Sequence, residues 1–197
     1  MKSRRKISRQ ILVPLFLAFG GLPEARATTL VRLSLDQLAA GADAVARVRC
    51  TSAESRWENG SIWTVTTAEV VESMKGSLPA AISIRLPGGR NGHFTATVDG
   101  TPKFRAGDEA ILFLSESRAG GYTVAGWVEG TFRISRDTRA GVETVTQDSS
   151  AFAVFDPAAR AFRREGIRRM PIEEFRAQVS ASIERAGSRL RGEDGTR

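Results

Sequence analysis

The chain is poor in the residues from which reactive sites are made. Cys50 is the only cysteine and His93 the only histidine among 197 residues. One cysteine excludes an internal disulfide framework, so packing has to hold the fold together. One cysteine and one histidine cannot furnish a zinc set, and neither H-E-x-x-H nor a calcium loop of alternating acids occurs. No G-x-S-x-G elbow is present. The glycine-rich stretch 87–92 lacks the Gly-Lys-Ser/Thr ending of a phosphate loop, so its glycines read as a turn. No metal or cofactor is implied. Long apolar runs are missing as well. Residues 11–22, interrupted by Pro14 and two glycines, fall short of the roughly 20 apolar residues of a spanning helix, which argues against a permanent membrane span.

That run fits a secretion signal instead. Lys2, Arg4, Arg5, Lys6 and Arg9 form a basic head, the apolar run follows, and Ala25-Arg26-Ala27 is a small-x-small cleavage site. The expectation is a signal peptide over 1–27, cut between Ala27 and Thr28, and a mature protein that is secreted or periplasmic. Ser3-Arg4-Arg5 leaves twin-arginine export open, although the general secretory route is the simpler reading.

The signal also carries most of the charge. Its six basic side chains and one acid account for a net +5 of the formal +7. Residues 28–155 hold 13 basic and 14 acidic side chains, and the remaining excess lies in 156–197, with ten arginines against seven acids. A nucleic-acid binder is expected to show a clustered basic face. The centre of this chain shows none and has few aromatics, so no nucleic-acid partner is expected.

Periodicity predicts a mainly β domain over 28–165, followed by a C-terminal helix and polar tail over 166–197. Ser34 and Gln37 form a capping box for a short helix that stops at Gly41, which fits a left-handed stop. From Ala44 the period becomes two: Ala44, Ala46, Val48 and Cys50 share one face, with Arg47 and Arg49 on the other. Cys50 therefore reads as a buried structural thiol. Asn59-Gly60 tolerates positive φ, making residues 44–71 one long hairpin with Trp57 and Trp63 as cross-strand neighbours at its tip. Alternating sets at Ile82, Ile84, Leu86 and at Phe94, Ala96, Val98 flank the glycine loop. The unbroken run 110–114 reads as a strand buried on both faces. A broken strand over 122–134 and two weaker ones near 142–146 and 152–155 follow. Ile172, Phe175, Val179 and Ile183 then recur at helical spacing after Pro171, with Arg185 and Gly187 suiting the helix end, and this stripe is expected to dock on the chain's own sheet. Short strands separated by turn chemistry predict an antiparallel barrel or sandwich.

The order of these elements carries a resemblance. A helix, a long strand pair, a Lys75-Gly76 turn, a strand, a glycine loop and Phe104-Arg105-Ala106-Gly107-Asp108-Glu109 leading into Ile111-Leu112-Phe113-Leu114 resemble the OB-type barrel of netrin-like domains and tissue inhibitors of metalloproteinases, over residues 35–134. The chain also resembles uncharacterised exported bacterial proteins of similar layout. The first resemblance implies an OB-like barrel and a protease-associated or inhibitor-like role. It departs from the inhibitors at the mature terminus, where their zinc-chelating cysteine is replaced by Thr28, and it lacks their disulfides.

Two functions remain open. One is a non-enzymatic binding module whose hairpin tip (Trp57, Trp63) and loop (Arg90, Asn91, His93) contact a protein or cell-envelope partner. The alternative is a small secreted hydrolase using His93, which would need a nucleophile and an orienting group beside it.

Overall fold

A computed structural model describes residues 30–136 and 141–194. The expected signal segment and its cleavage point at Ala27 and Thr28 lie outside the described residues. In chain order the elements are helix α1 (Leu35–Gly41) and strands β1 (Ala44–Glu58), β2 (Ser61–Lys75), β3 (Ala81–Pro87), β4 (Gly89–Asn91), β5 (Phe94–Ala96) and β6 (Glu109–Glu116). Strands β7 (Tyr122–Val124), β8 (Thr131–Arg136), β9 (Glu143–Gln147), β10 (Val154–Asp156), β11 (Ala161–Arg163) and β12 (Met170–Pro171) follow, and helix α2 (Ile172–Asp194) ends the described chain.

The fold is mainly β, with a large mixed sheet and two small hairpins among the described residues. The first two strands form the expected long hairpin, with Glu58 opposite Ser61 and the two-residue turn Asn59-Gly60 at positive φ in both positions. Two successive positive φ values are the mark of a type I′ turn, whose twist matches that of the strands. Strand β2 then pairs with β3, β3 runs parallel to β7 through Ile84 and Tyr122, β7 pairs with β6, and β6 pairs back onto β1. The pairings of these five strands therefore return to their starting strand. From β6 the sheet continues through β8 and β9 to β12.

Side-chain alternation sorts β1 and β6 into two cores. Ala44, Ala46, Val48 and Cys50 meet Ala110, Leu112, Leu114, Ile84 and Leu86 on the inner side of the circuit. On the opposite face Val45, Ile111 and Phe113 join Phe132, Val145, Phe175 and Val179 beneath the helices. Over 110–114 every side chain of β6 enters one cluster or the other, which explains the unbroken apolar run. The stripe of α2 docks on the chain's own sheet: Phe175 is fully buried, its ring 4.6 Å from that of Phe132.

Local differences from the sequence reading have identifiable causes. The capping box of α1 forms, but Gly41 is not left-handed. Lys75 takes over the helix end, its Nζ donating to the carbonyls of Ala39 (2.7 Å) and Ala42 (2.5 Å). Helix α2 runs through Gly187, whose intrinsic cost of roughly 1 kcal/mol relative to alanine does not end a docked helix. The stretch 122–134 divides into β7, a 3-10 turn over Trp127–Gly130, and β8. Gly126 enters that turn at φ 64°, and a side chain at Gly130 would meet the Ala125 carbonyl at 2.0 Å. No described helix is long and apolar enough to cross a membrane.

Candidate functional site

Opposite positions of β1 and β2 settle where the hairpin-tip tryptophans go. Trp57 lies opposite Ile62 and Trp63 opposite Arg56, so the two rings occupy consecutive positions of the ladder and leave the hairpin on opposite faces. They are not cross-strand neighbours, contrary to the expectation from their offsets, because a two-residue turn makes residues of equal offset from it pair and Trp57 and Trp63 differ by one.

On the first face Trp57 meets Phe94, with ring centroids 5.6 Å apart and an interplanar angle of 75°. Edge-to-face contacts of this kind add roughly 0.5–1.5 kcal/mol beyond area burial. Both rings remain open to solvent, at 49% for Trp57 and 64% for Phe94. With Ile62, Trp63, Pro87, Ala96 and Val98 they line an open groove of about 340 Å³.

The partner ring is delivered by the small β4–β5 hairpin. Asn91 pairs with Phe94, leaving Gly92-His93 as a two-residue turn with positive φ at the glycine only, the sign pattern of a type II′ turn. This hairpin is fastened to β1 at Ser55: the Asn91 amide donates to the Ser55 carbonyl (3.1 Å), and the Arg90 N–H donates to Ser55 Oγ (3.2 Å). Ser55 Oγ also shares a hydrogen bond with Thr64 Oγ1 (2.9 Å), which donates to the Gly88 carbonyl (2.7 Å). Gly89 fits against these hydroxyls because it has no side chain. A Cβ there would lie 2.2 Å from Ser55 Oγ and 2.3 Å from Thr64 Oγ1, at φ 134°.

Trp63 occupies the other face with a different neighbour. The Arg85 guanidinium stands 5.4 Å from its ring centroid, within cation–π range, because Arg85 is diagonal to Trp63 across the β2–β3 ladder. Arg85 also forms a two-point ion pair with Glu58. Arg85 first, and then Arg56, hold the Glu58 carboxyl below the usual carboxylate range. These side chains, with Asn59, Ser61, Ser117 and Ala119, border a second depression of about 350 Å³.

The structure thus gathers Trp57, Arg90, Asn91 and His93 at one end of the molecule, while Trp63 turns its ring to Arg85 and borders both depressions. Phe94 and Arg85 were missed as site residues. Phe94 alternates with Ala96 and Val98 and reads as core, yet β4–β5 lies outside the large sheet and leaves its ring in solvent. Arg85 could have been found, since the inward set Ile82, Ile84, Leu86 puts it on the outer face.

His93 is exposed at the tip of its turn, with no hydrogen-bond or ion-pair partner among the described residues. Cys50 is fully buried in the inner core, its thiol pushed up to about 11 by desolvation and then by the nearby Asp108. The chain's two most reactive side-chain types are therefore not brought together. Among the described residues no group of three or more His, Cys, Asp or Glu side chains could hold a metal ion. No protein-family model matches the chain, and no curated protein resembles it significantly in sequence.

Proposed function

We propose that this chain is an exported, non-enzymatic binding module that grips a partner protein with the end of its β1–β2 hairpin. The observation that carries the reading is the solvent-exposed Trp57–Phe94 pair over its apolar groove. Large aromatics at the centre of an apolar patch are the side chains that dominate protein interfaces, and here the backbone beneath them is held by the Ser55, Thr64 and Asn91 hydrogen bonds. Arg90 and His93 are exposed on the β4–β5 hairpin that carries Phe94. The fitting partner presents an apolar or aromatic anchor flanked by acidic groups.

The scaffold in this reading is an OB-type barrel. Support comes from the five-strand circuit with its single parallel pair, β3 with β7. In such barrels the face of strands two and three, with the loops that border it, is the usual binding surface. The Trp63–Arg85 depression lies on that face, which makes it a secondary contact of the same module. Export rests on the basic head, apolar run and small-x-small site of residues 1–27.

Site-specific photocrosslinking in the native cell envelope tests this reading. A photoreactive phenylalanine analogue at position 94 of the full chain is expected to capture one discrete protein. The same group at Val71, an exposed apolar position on the same strand pair, is expected to capture none. Equal capture from both positions, or none from position 94, contradicts it.

A further inference from the structure

A cavity of about 200 Å³ lies where the segment 96–104 crosses the end of the strand circuit. Its wall is formed by Leu86, Pro87, Ala96, Val98, Pro102 and Phe104, and the exposed Ala53 and Lys103 mark its open side. Two hydroxyls line it without partners. Thr66 has no solvent exposure and Thr101 is half-buried, and the Oγ1 of each is buried with no hydrogen bond. Thr66 holds the central position between Ala53 of β1 and Ile84 of β3, so its side chain is committed to the inside of the circuit.

An unsatisfied buried hydroxyl costs roughly 1–3 kcal/mol, which makes two of them in one cavity an arrangement that calls for an occupant. Water is a poor one. At about 30 Å³ each the space would take about six or seven molecules, every one needing two to four polar partners. Carbon forms somewhat more than half of the wall, and the Ser55 and Thr64 hydroxyls are already engaged with each other and with the Gly88 carbonyl. No buried charged side chain lines the space. A dry apolar cavity of about 150 Å³ accepts benzene, which sets the scale of what fits.

We propose that this cavity is a binding site for a compact uncharged molecule, mostly hydrocarbon, with one hydroxyl or carbonyl group that pairs with the Thr66 hydroxyl. The site adjoins the hairpin-tip groove, and Pro87, Gly88, Ala96 and Val98 belong to both walls, so an occupied cavity stiffens the backbone on which Phe94 is mounted.

Phenol and benzene serve as probes, titrated into the mature protein by calorimetry and by amide chemical-shift mapping. Phenol is expected to bind with Kd at or below about 1 mM, shifting the amides of Thr66, Leu86 and Phe104. Thr66→Val keeps the shape and removes the hydroxyl. It is expected to weaken phenol at least tenfold and leave benzene unchanged. Ala96→Leu fills the space and is expected to abolish both. Trp57→Ala, which lines the groove and not the cavity, is expected to change neither. Absence of phenol binding at ten times that concentration overturns the proposal, as does unchanged phenol affinity in Thr66→Val or loss of binding in Trp57→Ala. Should Thr66→Val fail to fold, Ala96→Leu and the shift map decide alone.

Discussion

Replacing Phe175 by alanine removes the side chain that fixes α2 to the sheet. Its ring has no solvent exposure and lies 4.6 Å from Phe132, which in turn packs 5.6 Å from Phe113. Truncating a fully buried phenylalanine costs roughly 3–5 kcal/mol, the transfer free energy of the lost atoms plus the cavity they leave. For a domain of this size each kcal/mol corresponds to about 2–4 °C. Phe175→Ala should therefore melt about 10–15 °C below wild type, with a lower urea midpoint and an unchanged slope. Arg185→Ala supplies the contrast. It breaks the ion pair to Asp36 at 2.7 Å, but Arg185 is 53% exposed and its pair is screened by water, so this variant should melt close to wild type. If Phe175→Ala melts within about 2 °C of wild type, α2 is not part of the stabilising core and the two-core description fails.

Three further outcomes follow from particular side chains. Burial raises the Cys50 thiol from the ordinary 9.0 to about 11, so the unfolded chain loses this proton first as pH rises. Stability should be intact below pH 9 and should fall by about 2–3 kcal/mol between there and pH 11, a drop that Cys50→Ala removes in alkaline urea titrations. Gly89→Ala should cost about 2–4 kcal/mol in a thermal melt, because the new Cβ collides with Ser55 and Thr64 at a φ that alanine resists. His93→Ala, in an exposed turn, should stay within about 0.5 kcal/mol of wild type in a thermal melt. Loss of a measured hydrolytic activity in that variant would install the hydrolase alternative.

What could be read from the sequence was whatever local chemistry dictates. Asn59-Gly60 names its own turn, Ser34 and Gln37 name their own cap, and the Ala46, Val48, Cys50 alternation fixes which face of β1 is buried. Residues 110–114 announce a doubly buried strand because no polar position interrupts them. Less legible was anything set by pairing across long separations. The parallel contact of β3 with β7 joins Ile84 to Tyr122, and nothing near either residue signals it. Strand β4 is three residues inside the glycine-rich stretch, too few to display a period, so that stretch reads as a loop and its pairing with β5 is not legible. Phe94 shows genuine alternation with Ala96 and Val98, but the small hairpin that carries it does not enter the large sheet. The separation of Trp57 from Trp63 needed only the register, which the two-residue turn already determines.

If Trp57 and Phe94 form the contact, the affinity of the captured partner for single-site variants of the chain reads it out. A hot-spot aromatic contributes about 2 kcal/mol or more, a factor of roughly thirty in Kd. Trp57→Ala and Phe94→Ala are each expected to raise Kd by at least tenfold while lowering the melting temperature by no more than about 6 °C, and Val71→Ala leaves Kd unchanged. Affinities of Trp57→Ala and Phe94→Ala within twofold of wild type would contradict the account and move the interface away from the hairpin tip.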